Sequence, residues 1–261
     1  MIDSCWKWVG SKRKNLQYIL PHLKGNRCFV DVFCGGLNVS INAKDFSHFV
    51  INDLDKHLIN TYYHMKKNPP VFMYLIEKEF PKIKDKESFN SLRDRFNSNT
   101  EYNMDNAVDY LLLNKTCFQG KMILNSERKF CNSFGYRVHK QPGLFYNKVW
   151  DVMDFLLENQ VSIKNMDFRE VVGDDDAVYY CDPPYLNHNK SRYAVKDFSK
   201  KDHQDLVECA KESKSRVLIS NVYCDETLEL YKDAKQIVTY STKWDFGDTT
   251  KSMHKELLAI F

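Results

Sequence analysis

Cys28-Phe29-Val30-Asp31-Val32-Phe33-Cys34-Gly35-Gly36, followed by His48-Phe49-Val50-Ile51-Asn52-Asp53, is the stretch that decides the fold. Cys28 to Phe33 is a short apolar run holding one acid and ending in two glycines, the composition of a buried strand that runs into a tight turn. His48 to Ile51 is a second such run, closed by Asn52-Asp53. Upstream, Leu16, Ile19, Leu20 and Leu23 fall at helical spacing after the turn Gly10-Ser11, and downstream Leu54, Leu58, Ile59 and Tyr62 do the same. Helix, strand, glycine turn, helix, strand, acid is the order expected of an α/β protein with a parallel sheet.

From about Pro69 to Asn159 the strand signals fade. Amphipathic helices are predicted over Val71 to Phe80, Phe89 to Phe96, Val108 to Leu113 and Val149 to Leu157. Strands resume at Val161 to Ile163, Ala177 to Cys181, Arg216 to Ser220, Gln236 to Tyr240 and Leu257 to Phe261. Ser199 with Asp202 reads as a capping box for the helix carrying Leu206, Val207 and Ala210. The expected organisation is an α/β domain over 1–65 and 160–261, split by a helical domain over 66–159.

The chain has 261 residues, 43% hydrophobic and 28% charged, with 9 Gly and 7 Pro, which speaks against disorder, repeats and fibres. No apolar run approaches the roughly 20 residues of a membrane span, and the opening residues lack a signal-peptide stretch, so a soluble, intracellular protein, fitting a reducing cytoplasm, is expected. The eight cysteines lack zinc-ligand spacing, so no metal is expected, and Cys28 and Cys181 sit in apolar runs where a thiol packs as a small hydrophobe. A net charge of +3 is mild, but Asn114 to Lys148 carries seven cations (Lys115, Lys121, Arg128, Lys129, Arg137, Lys140, Lys148) against one acid, Glu127. Phe118, Phe130, Phe134, Tyr136, Phe145 and Tyr146 interleave with them, which suits either a solvated loop or a surface that tracks phosphates and stacks bases.

Gly35 directly after a strand lets backbone approach a ligand at a sheet edge, and Asp53 follows 18 residues later at the end of the next strand, the place of a ribose-binding acid. The three-glycine dinucleotide fingerprint is missing, so a nucleoside ligand fits better than NAD. The narrowest pattern is Asp182-Pro183-Pro184-Tyr185, immediately after the strand Ala177 to Cys181.

With these motifs the chain resembles the DNA adenine methyltransferases of the Dam type, alpha class, over nearly its whole length. Lys7-Trp8-Val9-Gly10-Ser11-Lys12 is similar to that family's N-terminal cofactor motif, Asp31 to Gly36 to its cofactor loop, Asn52-Asp53 to its ribose acid, and Asp182 to Tyr185 to its catalytic tetrad. Asn114 to Tyr136 is similar to the segment the family inserts against DNA. The resemblance implies a Rossmann-like methyltransferase fold, a mixed seven-stranded sheet with helices on both faces, plus an inserted helical target-recognition domain with a DNA-contacting hairpin or loop around 114–140. It implies transfer of a methyl group from S-adenosyl-L-methionine to adenine N6 in a short duplex DNA sequence, by base flipping.

The resemblance assigns catalysis to Asp182, Pro183, Pro184 and Tyr185, and cofactor binding to Trp8, Lys12, Asp31, Phe33, Gly35, Asp53, Phe168 and Asp182. The alternative for Trp6 and Trp8, at period two, is an edge strand packed on the core; cofactor contact is the reading preferred for Trp8. DNA binding falls to Lys7, Phe118, Gln119, Lys121, Arg137 and Lys140. Where GATC-reading members place an arginine, this chain has Ile123, or its neighbours Met122 or Leu124, which argues for another target. Double-stranded DNA is the expected partner, with a monomeric enzyme and, in a modification role, a cognate restriction endonuclease. The alternatives are methylation of another planar amino group (RNA adenine or cytosine N4) and a non-catalytic DNA-binding module that kept the fold. Aspartate at the head of the tetrad favours adenine, since Ser is commoner there in cytosine-N4 enzymes.

Overall fold

The computed structural model describes residues 1–25, 27–135, 142–173, 176–186, 198–243 and 253–261. Its strands, β1 (Cys28–Asp31), β2 (His48–Asn52), β3 (Gln160–Lys164), β4 (Ala177–Cys181), β5 (Arg216–Val222), β6 (Gln236–Lys243) and β7 (Met253–Ile260), form one sheet in the order β3-β2-β1-β4-β5-β7-β6. The first five are parallel, and β7 runs antiparallel between β5 and β6. The strand order reverses between β1 and β4, so the crevice beyond their carboxyl ends is where an open α/β sheet binds its ligand. β4 is buried at every position, as a central strand covered on both faces must be. β1 ends earlier than the apolar run predicts: Val32 and Phe33 already belong to the turn.

The helices are α1 (Leu16–Ile19), α2 (Lys56–Lys67), α3 (Pro69–Glu79), α4 (Lys86–Ser98), α5 (Met104–Thr116), α6 (Pro142–Glu158), α7 (Lys200–Glu212) and α8 (Asp225–Leu230). Asp55 caps α2 by accepting from the backbone N–H groups of His57 and Leu58, which leaves Leu54 outside the helix and exposed, contrary to its predicted place on the apolar face. Asp85 with Ser88 boxes α4, and Ser199 with Asp202 boxes α7 as their spacing predicts. The expectation of an amphipathic helix over Val108 to Leu113 is corrected. Every residue of α5 from Asn106 to Asn114 is buried, because the helix runs through the middle of the helical layer against α2, α3 and α4. Its buried polar groups are matched, Asp109 by Arg95 and the Tyr110 hydroxyl by Asp55.

One apolar cluster runs without a break from the sheet (Phe29, Phe49, Ile51) into the helices (Phe72, Phe89, Leu112, Leu156). A second, with Val30, Tyr179 and Ile219, lies under Leu206, Val207 and Ala210 of α7 on the opposite face. Trp6 and Trp8 form no strand. Trp6 is buried edge-on to Tyr62 and to Trp8, at centroid separations of 5.8 and 6.1 Å. After α5 the chain makes two antiparallel bridges, Cys117 with Phe134 and Leu124 with Phe130, so the predicted loop or hairpin has hairpin character. Arg137, Lys140 and Tyr136 lie outside the described residues. Among the described residues no helix is long and apolar enough to cross a membrane.

Candidate active site

Three carboxylates mark the ends of adjacent strands: Asp31 on β1, Asp53 just beyond β2 and Asp182 just beyond β4. Asp182 Oδ2 meets the Lys12 ammonium at 2.7 Å, while its Oδ1 is shut off from solvent and makes no hydrogen bond. Loss of solvation pushes Asp182 up to about 6 against the pull of Lys12. Asp31 accepts from the Ser40 hydroxyl at 2.5 Å through Oδ2, and its Oδ1 is likewise buried and unpartnered. Desolvation, opposed by Ser40 and reinforced by the charges of Asp182 and Asp53, raises Asp31 to about 7. Asp53 accepts from the N–H of Gly35 at 2.9 Å and of Asp55 at 3.0 Å, and desolvation still lifts it to about 6.

The turn after β1 is held on three sides. The Tyr62 hydroxyl donates to the Gly35 carbonyl at 2.5 Å, and Asp53 takes the Gly35 N–H. Gly35 has φ of 41°, and a Cβ there would lie 2.4 Å from Trp8 Nε1, so glycine is required both for the left-handed backbone and for the indole beside it. Asn52, read in the sequence only as the neighbour of an acid, binds the Val32 carbonyl and both backbone groups of Met166, joining the loops after β1 and β3. Phe33 and Phe168 come together as expected, with centroids 5.8 Å apart, and Phe198, which no motif flagged, completes the aromatic group at 5.7 and 5.5 Å.

In the tetrad, Pro183 is buried and Pro184 exposed. The Lys12 ammonium stands 4.7 Å above the Tyr185 ring, and the Tyr185 hydroxyl donates to Glu256 at 2.6 Å. Leu186 N–H, at the tetrad's exit, donates to Asn221 at the end of β5. Lys12, Trp8, Gly35, Asp53 and the tetrad are therefore gathered at one edge of the sheet from four separated motifs.

Of the predicted DNA-contacting residues, the described ones, Lys7, Phe118, Gln119 and Lys121, form a second group. Phe118 is 52% exposed and Gln119 is exposed in a left-handed conformation, φ 57°. Their turn is clamped from below: Asn114, fully buried, donates to the Gly120 carbonyl and exchanges hydrogen bonds with both backbone groups of Lys7, and Asn132 donates to the carbonyls of Phe118 and Lys121. Both asparagines escaped motif reading, although an amide closing the apolar run Leu111 to Leu113 is a visible signal. Gly120 has φ of 68°, and a Cβ there would lie 2.2 Å from Lys7 Cβ. The Lys7 ammonium itself donates to the Lys115 carbonyl at the end of α5, so it fastens the turn as well as bearing charge. The basic stretch is partly engaged: Lys129 pairs with Glu127, Lys148 with Asp3, and Lys115 lies 4.6 Å over the Phe145 ring. Met122 is buried, and Ile123 and Leu124 are half-buried apolar residues, without the donor fork that reads guanine.

The family model for D12 class N6 adenine-specific DNA methyltransferase matches residues 8–244. The chain is 28% identical to a DNA adenine methylase of Vibrio cholerae, over 98% of this chain and 94% of that one. It is 30% identical to the type II methyltransferase M1.LlaDCHI of Lactococcus lactis, covering 87% and 84%. It is also 28% identical to a DNA N-6-adenine-methyltransferase of Escherichia phage P1, of which it spans 31%.

Proposed function

Because the chain belongs to the D12 class of N6 adenine-specific DNA methyltransferases, we propose that it methylates adenine N6 at one short duplex sequence, with S-adenosyl-L-methionine as donor and the tetrad Asp182 to Tyr185 as its catalytic centre. The observation that carries this reading is the Asp182 carboxylate beyond β4, with one oxygen making no hydrogen bond and the other on the Lys12 ammonium that also stands over the Tyr185 ring. The donor fits the residues present. It is a cation with an ammonium and a sulfonium, and Asp31, Asp53 and Asp182 are poorly solvated carboxylates, two of them with unpartnered oxygens, whose charge a cation would restore. Asp53 would hold the ribose hydroxyls, with Trp8, Phe33, Gly35 and Phe168 lining the rest of the cofactor site and Lys12 bridging it to the tetrad.

When bound, the cofactor supplies an electrophilic methyl group. The protein's task is to make a poor nucleophile attack it, since the lone pair of adenine N6 is delocalised into the ring. Asp182 and the Pro183 carbonyl each accept one N6 hydrogen, which draws the nitrogen toward tetrahedral geometry and frees its lone pair. Positive charge developing on N6 then meets acceptors already in place, the surplus N6 proton passes by way of the Asp182 carboxylate to solvent, and the donor, its S–CH3 bond broken, would leave as a neutral thioether. Orientation supplies a further share, up to about 7–11 kcal/mol in favourable systems. The base must leave the duplex to arrive there, and Tyr185 would stack on it.

On this reading residues 66–159 serve target recognition. Phe118 fills or props the space the base leaves, Gln119 offers a donor and acceptor to an adenine edge, and Lys7, Lys121, Arg137 and Lys140 neutralise phosphates. The apolar character of Met122, Ile123 and Leu124 supports a target other than GATC. We place the reaction in the cytoplasm, by a monomer. A role beside a restriction endonuclease is supported only by the type II name of the Lactococcus relative. The test is methyl transfer from labelled S-adenosylmethionine into unmethylated DNA, followed by sequencing that locates the modified bases. N6-methyladenine in one short motif is expected; cofactor binding with no transfer to DNA would overturn the reading in favour of another acceptor.

A further inference from the structure

The tetrad's tyrosine is useful to a flipped base only if its ring holds one plane, and a hydrogen bond from its hydroxyl to a residue outside the motif helps to hold it. That contact comes from β7, the antiparallel strand between β5 and β6. Glu256 lies on β7, opposite Val222 of β5 and Tyr240 of β6, and is 3% exposed. The residues that follow it, Leu257 to Ile260, are all apolar and buried, so an acid at this place stands out from its strand. Its Oε2 accepts from the Tyr185 hydroxyl at 2.6 Å, within the short range of an O–H bond to a carboxylate. The same oxygen accepts from Asn15 Nδ2 at 2.9 Å, and Asn15 ends the short turn that carries Lys12. Lys12 in turn touches both Asp182 and the Tyr185 ring. One buried carboxylate thus accepts from the Tyr185 hydroxyl and from the last residue of the turn that carries Lys12.

We infer that Glu256 is a positioning residue for methyl transfer, acting through the Tyr185 hydroxyl to hold the ring in the plane that receives the target base. The inference rests on the functional reading above and deepens it. A buried charge is costly unless hydrogen-bonded, and here Tyr185 and the turn bearing Lys12 each donate a hydrogen bond to it.

The test is a double-mutant cycle on the full chain, reading kcat, KM for duplex DNA and the Kd of S-adenosylmethionine. Glu256→Ala is expected to lower kcat by about 10- to 100-fold, the scale of a small misplacement at a reacting centre, with cofactor Kd within about twofold of wild type. Tyr185→Phe, which removes only the hydroxyl, is expected to cost about the same, and the double variant no more than either single one. A merely structural acid would instead lower kcat in the Tyr185→Phe background as much as in wild type, and that result overturns the inference, as does a Glu256→Ala enzyme with wild-type kcat. Should Glu256→Ala fail to fold, Glu256→Gln, which keeps the volume and an acceptor, takes its place in the same cycle, with a severalfold loss that vanishes in Tyr185→Phe. A wild-type chain that transfers no methyl overturns the functional reading itself; transfer by wild type with an indifferent cycle overturns this inference alone.

Discussion

The edge of the sheet and the turn after α5 share one short segment, Lys7-Trp8, yet they are built in opposite ways. At the sheet edge Trp8 faces Gly35, and the site is made of side chains: three carboxylates, an ammonium and aromatic rings, crowded enough that two carboxylate oxygens have no hydrogen bond. At the turn Lys7 faces Gly120, and what is fixed is mainly backbone, by Asn114 and Asn132, while Phe118 and Gln119 project outward. Chemistry common to every substrate needs charges pre-set in a place that water barely reaches, which strand ends supply. On the proposed function, reading a particular DNA sequence falls to side chains that can change without disturbing the fold, which a clamped surface turn would supply.

If that division is right, the largest effect belongs to the sheet edge. Asp182→Ala should lower methyl transfer by about 10²–10³-fold or more while DNA binding, followed by fluorescence anisotropy, stays near wild type; a variant with ordinary turnover would break the comparison at its strongest point. The two glycines give a matched pair. Gly35→Ala and Gly120→Ala each force a left-handed residue and a contact under 3 Å, with strain of about 1–3 kcal/mol. The first is expected to weaken cofactor binding by about 5- to 150-fold with DNA binding retained, and the second to do the reverse. Calorimetry for the cofactor and anisotropy for DNA separate the two, thermal melts report folding, and equal losses of both ligands in both variants would show that Lys7-Trp8 couples the regions rather than dividing them.

A smaller effect follows from the acids. Asp53 and Asp182 are raised to about 6 and Asp31 to about 7, so they carry protons at pH 5 and charge at pH 8. A cationic ligand prefers them charged, so its binding releases protons and tightens as pH rises through that window, by about tenfold for each unit of pKa shift the ligand imposes. Titration calorimetry at pH 5, 6.5 and 8 checks the sign; affinity that falls with rising pH would remove these carboxylates from the cofactor site. The smallest effect is expected at the turn: Lys121→Glu should weaken DNA binding severalfold and make its salt dependence shallower by about one unit of log–log slope, with cofactor affinity unchanged. An unaltered slope would take Lys121 off the phosphate-facing surface.

Much of the sheet edge is legible in the chain itself, because each motif there sits at the end of a strand and strands announce themselves by short apolar runs. Gly35, Asp53 and Asp182 are found this way, and Ser199 with Asp202 marks its helix correctly. Legibility fails where burial is decided by neighbours distant in sequence. Leu54 has the right spacing for a helical face, but Asp55 caps the helix after it. The helix over Val108 to Leu113 reads as one-sided, and it is surrounded because α2, α3 and α4 close around it.

The sequence by itself determined the order of strands and helices, the acids at strand ends and the tetrad, since these depend on local periodicity and on residues a few places apart. Only the tertiary structure decided that Asn114 would clamp Lys7, 107 residues away, that Glu256 would reach Tyr185 across 71 residues, and that Lys12 would sit on Asp182 and over the Tyr185 ring. The Glu256–Tyr185 contact is set by the sheet order and the antiparallel insertion of β7 between β5 and β6, and the Asn114 clamp by the packing of α5 against the segment that carries Lys7. No local pattern records them, because a hydrogen bond between distant elements leaves in the sequence only two polar residues, each of which reads as ordinary until the fold brings them together.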